Sequence, residues 1–152
     1  MLFLNLIQAN LKTKILGKSI EYFPYTNSTN DDIWNFVNEG ESLEGLVVVT
    51  DDQRGGRGRR ENKWHSSPGN SLTFSFLLKP ELDLDKLGFF SLLAAVSVCE
   101  GIKKITGINC KIKWPNDVLV DGEKIAGVLI ENREINEKRF MCVGIGINVN
   151  EN

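Results

Sequence analysis

Histidine and cysteine are scarce in this sequence. Its 152 residues hold one histidine, His65, and three cysteines, Cys99, Cys110 and Cys142. No cysteine stands in a Cys-x-x-Cys pair or beside the histidine, which argues against a zinc site and against a disulfide framework. Scattered thiols in odd number fit a reduced, cytoplasmic protein in which each is a small buried apolar side chain. Neither charge sign is in large excess: 18 Lys and Arg against 20 Asp and Glu give a formal net charge of -2. A generic nucleic-acid binder is more often basic overall, so any cationic site here must be local. Long apolar runs are missing as well. The first eight residues, Met1 to Gln8, are apolar but brief and lack a basic flank, so neither a signal peptide nor a membrane span is expected. What remains, 41% hydrophobic and 25% charged, describes one globular domain over residues 1–152. A chain of that length buries about two-thirds of its unfolded surface without a metal or disulfide.

The hydrophobic pattern predicts a short helix over 3–13 and an extended piece at 22–25. A polar turn follows at Asn27-Ser28-Thr29-Asn30. An amphipathic helix opens at Asn30-Asp31-Asp32, with carboxylates at its positive end. The β-branched run at 45–50 reads as a buried strand and 53–69 as a long loop. A second strand spans 71–78, and a long helix runs from 83 to about 106, stopped by Gly107. Three strands close the pattern at 110–114, 118–132 (interrupted by an Asp121-Gly122 turn) and 140–149. Asp121-Gly122 and Ile135-Asn136-Glu137-Lys138 carry hairpin signals. The predicted class is α+β, with helices packed on a mixed, largely antiparallel sheet. The chain stops at Asn152 straight after a strand, so a fragment is expected.

Chemistry concentrates in four places. The first is Gln53-Arg54-Gly55-Gly56-Arg57-Gly58-Arg59-Arg60, continued by Lys63 and Trp64. Residues 54–63 carry five cationic side chains against the carboxylate of Glu61, a local net of +4. Glycines let backbone N–H groups approach an anion, arginines grip phosphate or carboxylate, and Trp64 offers a flat face. This suggests a loop that folds over an anionic ligand; the competing reading is an RGG-like segment that binds RNA loosely. The second place is Lys113-Trp114-Pro115-Asn116-Asp117, where a strand delivers polar groups to a sheet edge. By itself it reads as an ordinary Asn-Asp turn after a structural tryptophan. The third is Lys124-Ile125-Ala126-Gly127, a lysine opening a strand with small residues that allow close approach. The fourth is Gly144-Ile145-Gly146-Ile147-Asn148, whose two glycines mark a bulge, a ligand pressed on the backbone, or a flat strand packed on a helix.

Taken in order, these motifs resemble the biotin–protein ligases. That family pattern is a Ser-Thr-Asn turn, a GRGR loop, KWPND, Lys-(Ile/Leu)-(Ala/Gly)-Gly and Gly-(Ile/Leu)-Gly-(Ile/Leu)-Asn. Here it is matched by Ser28-Thr29-Asn30, Gly56 to Arg60, Lys113 to Asp117, Lys124 to Gly127 and Gly144 to Asn148. The resemblance covers about residues 17–150. It implies the biotin–lipoate ligase catalytic fold, akin to class II aminoacyl-tRNA synthetases. It also implies a two-step reaction: ATP activates biotin to biotinyl-5′-adenylate, and a lysine of a biotin carboxyl carrier protein then accepts the biotin.

The resemblance also implies roles. Lys124 bridges the biotin carboxylate and the α-phosphate, with Arg59 and Lys113 as further catalytic cations. Ser28, Thr29, Asn30 and Gln53 hydrogen-bond biotin. Gly56, Arg57, Gly58, Arg59 and Arg60 form the closing loop. Trp64 packs beside the adenine, Asn148 bonds its edge, and Asn116 and Gly127 border the nucleotide. Asp117 is the candidate ligand for Mg²⁺. Three departures are visible. Glu61 stands where a glycine often follows the double arginine, lowering the loop's charge. About 20 residues precede the motifs, too few for a helix-turn-helix, so no DNA partner is expected. The family usually continues past the last motif with a helix and a small β-barrel, so a biotin-binding fragment without turnover is the alternative to an active ligase. Ligases of this kind are often homodimers.

Overall fold

The computed structural model describes residues 2–41, 43–81 and 88–151. Helix α1 is Leu4–Asn10, strand β1 Ile20–Phe23, helix α2 Thr29–Asn38 and strand β2 Val47–Thr50. A single 3₁₀ turn at Arg59–Glu61 interrupts the long loop before strand β3, Ser71–Leu78. Helix α3 spans Phe89–Thr106 and is followed by β4 Lys111–Lys113, β5 Asp117–Val120, β6 Glu123–Ile135 and β7 Lys138–Asn148. The seven strands form one sheet in the order β1-β2-β3-β7-β6-β5-β4. Only β1 and β2 run parallel; every other pair is antiparallel. The expected α+β class and mixed sheet are therefore observed.

Alternation along β7 divides the molecule into three layers. Met141, Val143 and Ile145 point into a core with Ala95 and Val98 of α3, Val118 of β5 and Ala126 and Val128 of β6. Phe140 and Cys142, of opposite parity, join Ile33, Trp34 and Val37 of α2, with Val48 and Leu77. Successive side chains on a strand point to opposite faces, so α2 and α3 cover opposite sides of the sheet. Helix α2 reaches only part of its face. Beyond Cys142 the residues of the same parity on β7 are Gly144, Gly146 and Asn148, which leave a bare strip beside the helix.

Several boundaries differ from expectation. Helix α1 ends at Asn10 and buries none of its residues, so no apolar contact extends it to residue 13. The extended piece lies at 20–23, where parallel pairing with β2 defines it. Helix α2 begins at Thr29, inside the expected polar turn, and Ser28 makes no side-chain cap bond. The first part of the long helix, residues 83–87, falls outside the described residues; from Phe89 onward it is observed and stops at Gly107 in a left-handed conformation. Strands β6 and β7 pair through to Ile135↔Lys138. Their connecting turn places Asn136 and Glu137 at positive φ, as a tight two-residue hairpin requires. Trp114, expected to be structural, is 79% exposed. Of the three cysteines only Cys142 is buried. No helix among the described residues is long and apolar enough to cross a membrane.

Ile33 is fully buried between α2 and the sheet. Ile33→Ala removes its packing and leaves a cavity, and is expected to cost about 2–5 kcal/mol in urea unfolding. A loss below about 1 kcal/mol would show that α2 is not packed as described.

Candidate active site

The bare strip is the floor of a cavity of about 140 Å³. Registry assembles that floor: Thr73 of β3 pairs with Gly146, Gly146 with Gly127, and Gly127 with Asp117. One strand further, Asp117 pairs with Lys113. A parallel row sets Ser75 opposite Gly144 and Gly144 opposite Leu129. The glycines are required by what lies on them. A Cβ on Gly144 would fall 2.3 Å from the Asn30 side chain, and one on Gly146 would fall 2.3 Å from the Trp64 indole. On Gly127 it would sit 3.3 Å from both Lys124 and Trp64.

Lys124 reaches this face through an irregularity. Counted by strict alternation it shares parity with Ala126 and Val128, which lie in the α3 core. The β5–β6 register shifts between Val118 and Leu119: Val118 faces Ala126, but Leu119 faces Lys124. The extra residue, Ile125, packs against the α3 core, and Lys124 turns to the glycine side. A bulge of this kind re-aims a side chain. The Lys124 ammonium then lies 2.7 Å from Asp117 Oδ1 and 5.6 Å from the Trp64 ring centre.

One end of the cavity is polar, neutral and buried. Ser28, Thr29, Asn30, Gln53 and Thr73 are each 9% exposed or less and line it. The Thr29 backbone N–H donates to Gln53 Oε1 at 2.9 Å. Thr29 Oγ1 lies 2.6 Å from Ser75 Oγ, and Ser75 Oγ donates to Asn30 Oδ1 at 2.6 Å. Ser75 gives its one proton to the Asn30 carbonyl and so accepts from Thr29, whose hydroxyl also lies 3.2 Å from Gln53 Oε1. That fixes the Asn30 amide with its Nδ2 left over. Asn30 Nδ2, Asp32 Oδ2, Thr73 Oγ1, Trp64 Nε1 and Asn148 Oδ1 are buried and have no partner among the described residues. Buried polar groups are ordinarily satisfied. Three of these five residues line the same cavity, which marks a place built for a ligand.

The Arg/Gly loop folds back over the cavity as a small hairpin, so it is not an open RGG-like segment. Trp64 N–H donates to Gly56 O at 2.9 Å and Gly58 N–H to Asn62 O at 2.7 Å. Arg57, Gly58 and Arg59 line the cavity with Asn62, Lys63 and Trp64. The Arg57 guanidinium donates to both oxygens of Asp31, at 2.7 and 2.6 Å, and to Glu131 at 3.4 Å. The Arg57 hydrogen bonds hold the Asp31 carboxyl below its ordinary value of 3.8, whereas burial pushes Asp32 above it.

Most of the expected site residues meet here: Ser28, Thr29, Asn30, Gln53, Arg57, Gly58, Arg59, Trp64, Asn116, Asp117, Lys124 and Gly127 all line one cavity. Asn116 is anchored by a hydrogen bond from its Nδ2 to Val128 O at 2.8 Å. Four stand back from it. Lys113 is exposed at the end of the Thr73–Asp117 row. Gly56 sits beneath the loop, where a Cβ would meet Trp64 O at 2.5 Å. Arg60 adopts a left-handed backbone, φ 52°, and borders a shallower depression with Trp114 and Pro115. Asn148 lies beside Lys124, its Nδ2 3.5 Å from the Lys124 carbonyl. Sequence reasoning missed Thr73, Ser75, Asp31 and Glu131. The alternation of Ser71, Thr73 and Ser75 through a Phe- and Leu-rich strand was a usable signal for the first two.

The residues do not fit a metal cage built by the protein. Asp117 is engaged by Lys124, and the described residues hold no cluster of three or more His, Cys, Asp or Glu side chains.

The sequence profile of the Biotin/lipoate A/B protein ligase family matches residues 22–150. The chain belongs to that family. It is 41% identical over 146 residues to the Bifunctional ligase/repressor BirA of Bacillus subtilis, covering 95% of this chain and 45% of that protein. It is 26% identical over 153 residues to the Biotin--[acetyl-CoA-carboxylase] ligase of Mycobacterium tuberculosis, covering 95% of this chain and 56% of that one. Among solved structures, the biotin protein ligase of Aquifex aeolicus in complex with biotin and ATP superposes with a TM-score of 0.73 at 37% identity, over 88% of this chain and 53% of that one. The chain thus spans about half the length of these relatives, and its fold is the ligase catalytic fold.

Two predictions follow from this geometry. Gly146→Ala is expected to push the Trp64 indole off the floor, shifting its fluorescence to longer wavelength in a chain that stays folded; unchanged emission would show that Trp64 does not rest there. In a carboxyl NMR titration, Asp32 should protonate above pH 3.8 and its neighbour Asp31 below it. The Asp31–Arg57 pair then contributes fully above the unfolded carboxylate value and is lost only as pH falls through the depressed one. The reverse order of titration would refute the pairing.

Proposed function

We propose that this chain carries the biotin-adenylating site of a biotin–protein ligase. The observation that carries this is the division of the cavity into a buried neutral end and a cationic end. Biotin's ureido ring offers one carbonyl oxygen and two N–H donors. Asn30 Nδ2, left unpaired, suits the carbonyl, and Thr73 Oγ1 can accept an N–H. At the other end Arg59, Lys63 and Lys124 line the cavity with the carboxylate of Asp117, a net of +2, while Arg57 is already held by Asp31 and Glu131. That end suits a carboxylate meeting a triphosphate. The presence of biotin and ATP in the Aquifex aeolicus complex supports the assignment.

The first step forms a bond between a biotin carboxylate oxygen and the α-phosphorus of ATP and breaks the bond to the β-phosphate oxygen, releasing pyrophosphate. Two anions must approach, so fixed positive charge between them lowers the barrier. Lys124 supplies it, and Asp117, 2.7 Å away, aims its ammonium. The loop roof carrying Arg59 and Trp64 excludes water from the mixed anhydride. In the second step a lysine amine of a biotin carboxyl carrier protein attacks the anhydride carbonyl carbon, AMP leaves, and the amine loses a proton. Mg²⁺ would ordinarily accompany ATP, carried on its phosphates; no step here uses a metal bound by the protein.

Biotin-dependent exchange of labelled pyrophosphate into ATP measures the first step. Lys124→Gln is expected to lower it roughly 10²–10³-fold, the usual loss for a group that stabilises transition-state charge. Exchange in the unaltered chain that survives this change at full rate would overturn the assignment of Lys124.

A further inference from the structure

Ser75 of β3 is fully buried and stands behind the neutral end of the cavity without lining it. It sits opposite Gly144, and the missing Cβ there leaves room for the Asn30 amide. A Cβ on Gly144 would fall 2.3 Å from Asn30 Oδ1 and 3.3 Å from Nδ2. Two arrangements of protons could join these groups. In one, Ser75 donates to Asn30 Oδ1; in the other, the amide is turned over and Nδ2 donates to Ser75. The separation of 2.6 Å decides between them, because it is usual for O–H···O and shorter than the N–H···O range of about 2.7–3.2 Å. The neighbouring contact agrees. Thr29 Oγ1 lies 2.6 Å from Ser75 Oγ but 3.2 Å from Gln53 Oε1, which already accepts the Thr29 backbone N–H. Ser75 therefore accepts from Thr29 and donates to Asn30. Asn30 lines the cavity, and its Nδ2 has no partner among the described residues.

We propose that Ser75 is a positioning residue that sets the polarity of the neutral end: by holding the Asn30 carbonyl, it keeps the amide nitrogen as the group offered to a ligand. The site then selects a ring that presents an acceptor at that point and rejects the same ring presenting a donor. This deepens the ligase reading and rests on it for the identity of the ring, the cyclic urea of biotin. The two ends of an asparagine amide are nearly alike in shape, so packing alone fixes its orientation poorly, and the hydrogen-bond network must do so. Turning the Asn30 amide over would reverse both proton donations. It would also press Nδ2 closer to Ser75 Oγ than N–H···O bonds ordinarily run. A buried donor that meets a ligand donor leaves both unpaired, and such a mismatch discriminates more strongly than a difference in shape.

Calorimetric titration with biotin and with iminobiotin tests this. The two rings share a shape, but in iminobiotin a protonated guanidinium, a donor, replaces the ureido carbonyl. The unaltered chain is expected to prefer biotin by about 100-fold or more. Ser75→Ala removes the hydroxyl that holds the carbonyl, so Asn30 can present either end. The preference is expected to shrink about tenfold, through weaker biotin and stronger iminobiotin binding. Ser75→Thr, which keeps the hydroxyl, is expected to retain the preference. A merely structural role would weaken both compounds together, and an unchanged ratio in Ser75→Ala would overturn the proposal. NMR of the unaltered, ligand-free chain is independent of the variants. The Asn30 amide protons should show no strong cross-relaxation with the Ser75 β protons; strong cross-relaxation would show the amide turned over and would also overturn the proposal. Failure of the ligase reading looks different: neither compound binds any of the three chains, while the Asn30 amide keeps the expected orientation.

Discussion

The site depends on the absence of three side chains. Gly127, Gly144 and Gly146 adjoin in the central β6–β7 ladder, and each lies under a bulky group: Lys124 with Trp64, Asn30, and Trp64 respectively. A Cβ at Gly144 or Gly146 would occupy space already filled at 2.3 Å, which no ordinary packing adjustment absorbs. The same strands carry a dense core on their other face, with Met141, Val143, Ile145, Ala126 and Val128 packed against α3. One ladder therefore does two jobs by parity. Its large residues hold the domain together, and its small ones leave room for chemistry.

The polar network follows from that room. With the strip bare, α2 can bring Thr29 and Asn30 down onto Ser75, which takes up the Asn30 carbonyl and leaves its amide nitrogen without a partner. Buried polar atoms without partners are costly where no ligand satisfies them. Here three of their residues gather at one cavity. The cationic end obeys a related rule. Lys124 and Arg57 are both held by carboxylates, Asp117 and Asp31.

Much of this was legible in the sequence. The β-branched and alternating runs located β2 and β3, Gly107 stopped α3, and Asp121-Gly122 made its hairpin. The residues expected at the site included twelve that line the cavity. What escaped was set by tertiary register. Alternation alone puts Lys124 on the core face; only the extra residue at Ile125 turns it over. Glu131 gave no sign of contacting Arg57, which lies 74 positions away in the chain. Thr29 looked like part of a polar turn and begins α2. Trp114 looked structural and is exposed. Such outcomes belong to the pairing of distant strands and loops, which no local pattern encodes.

The central claim is that the strip and its polar end form a biotin pocket in this chain. Calorimetric titration of biotin into the unaltered chain, beside Thr73→Val, tests it most directly. The account predicts one site per chain in the former and much weaker binding in the latter, because Val keeps the shape of Thr73 and removes its unpaired hydroxyl. A folded chain that takes up no biotin, or that binds it equally well with Val at position 73, would contradict the account.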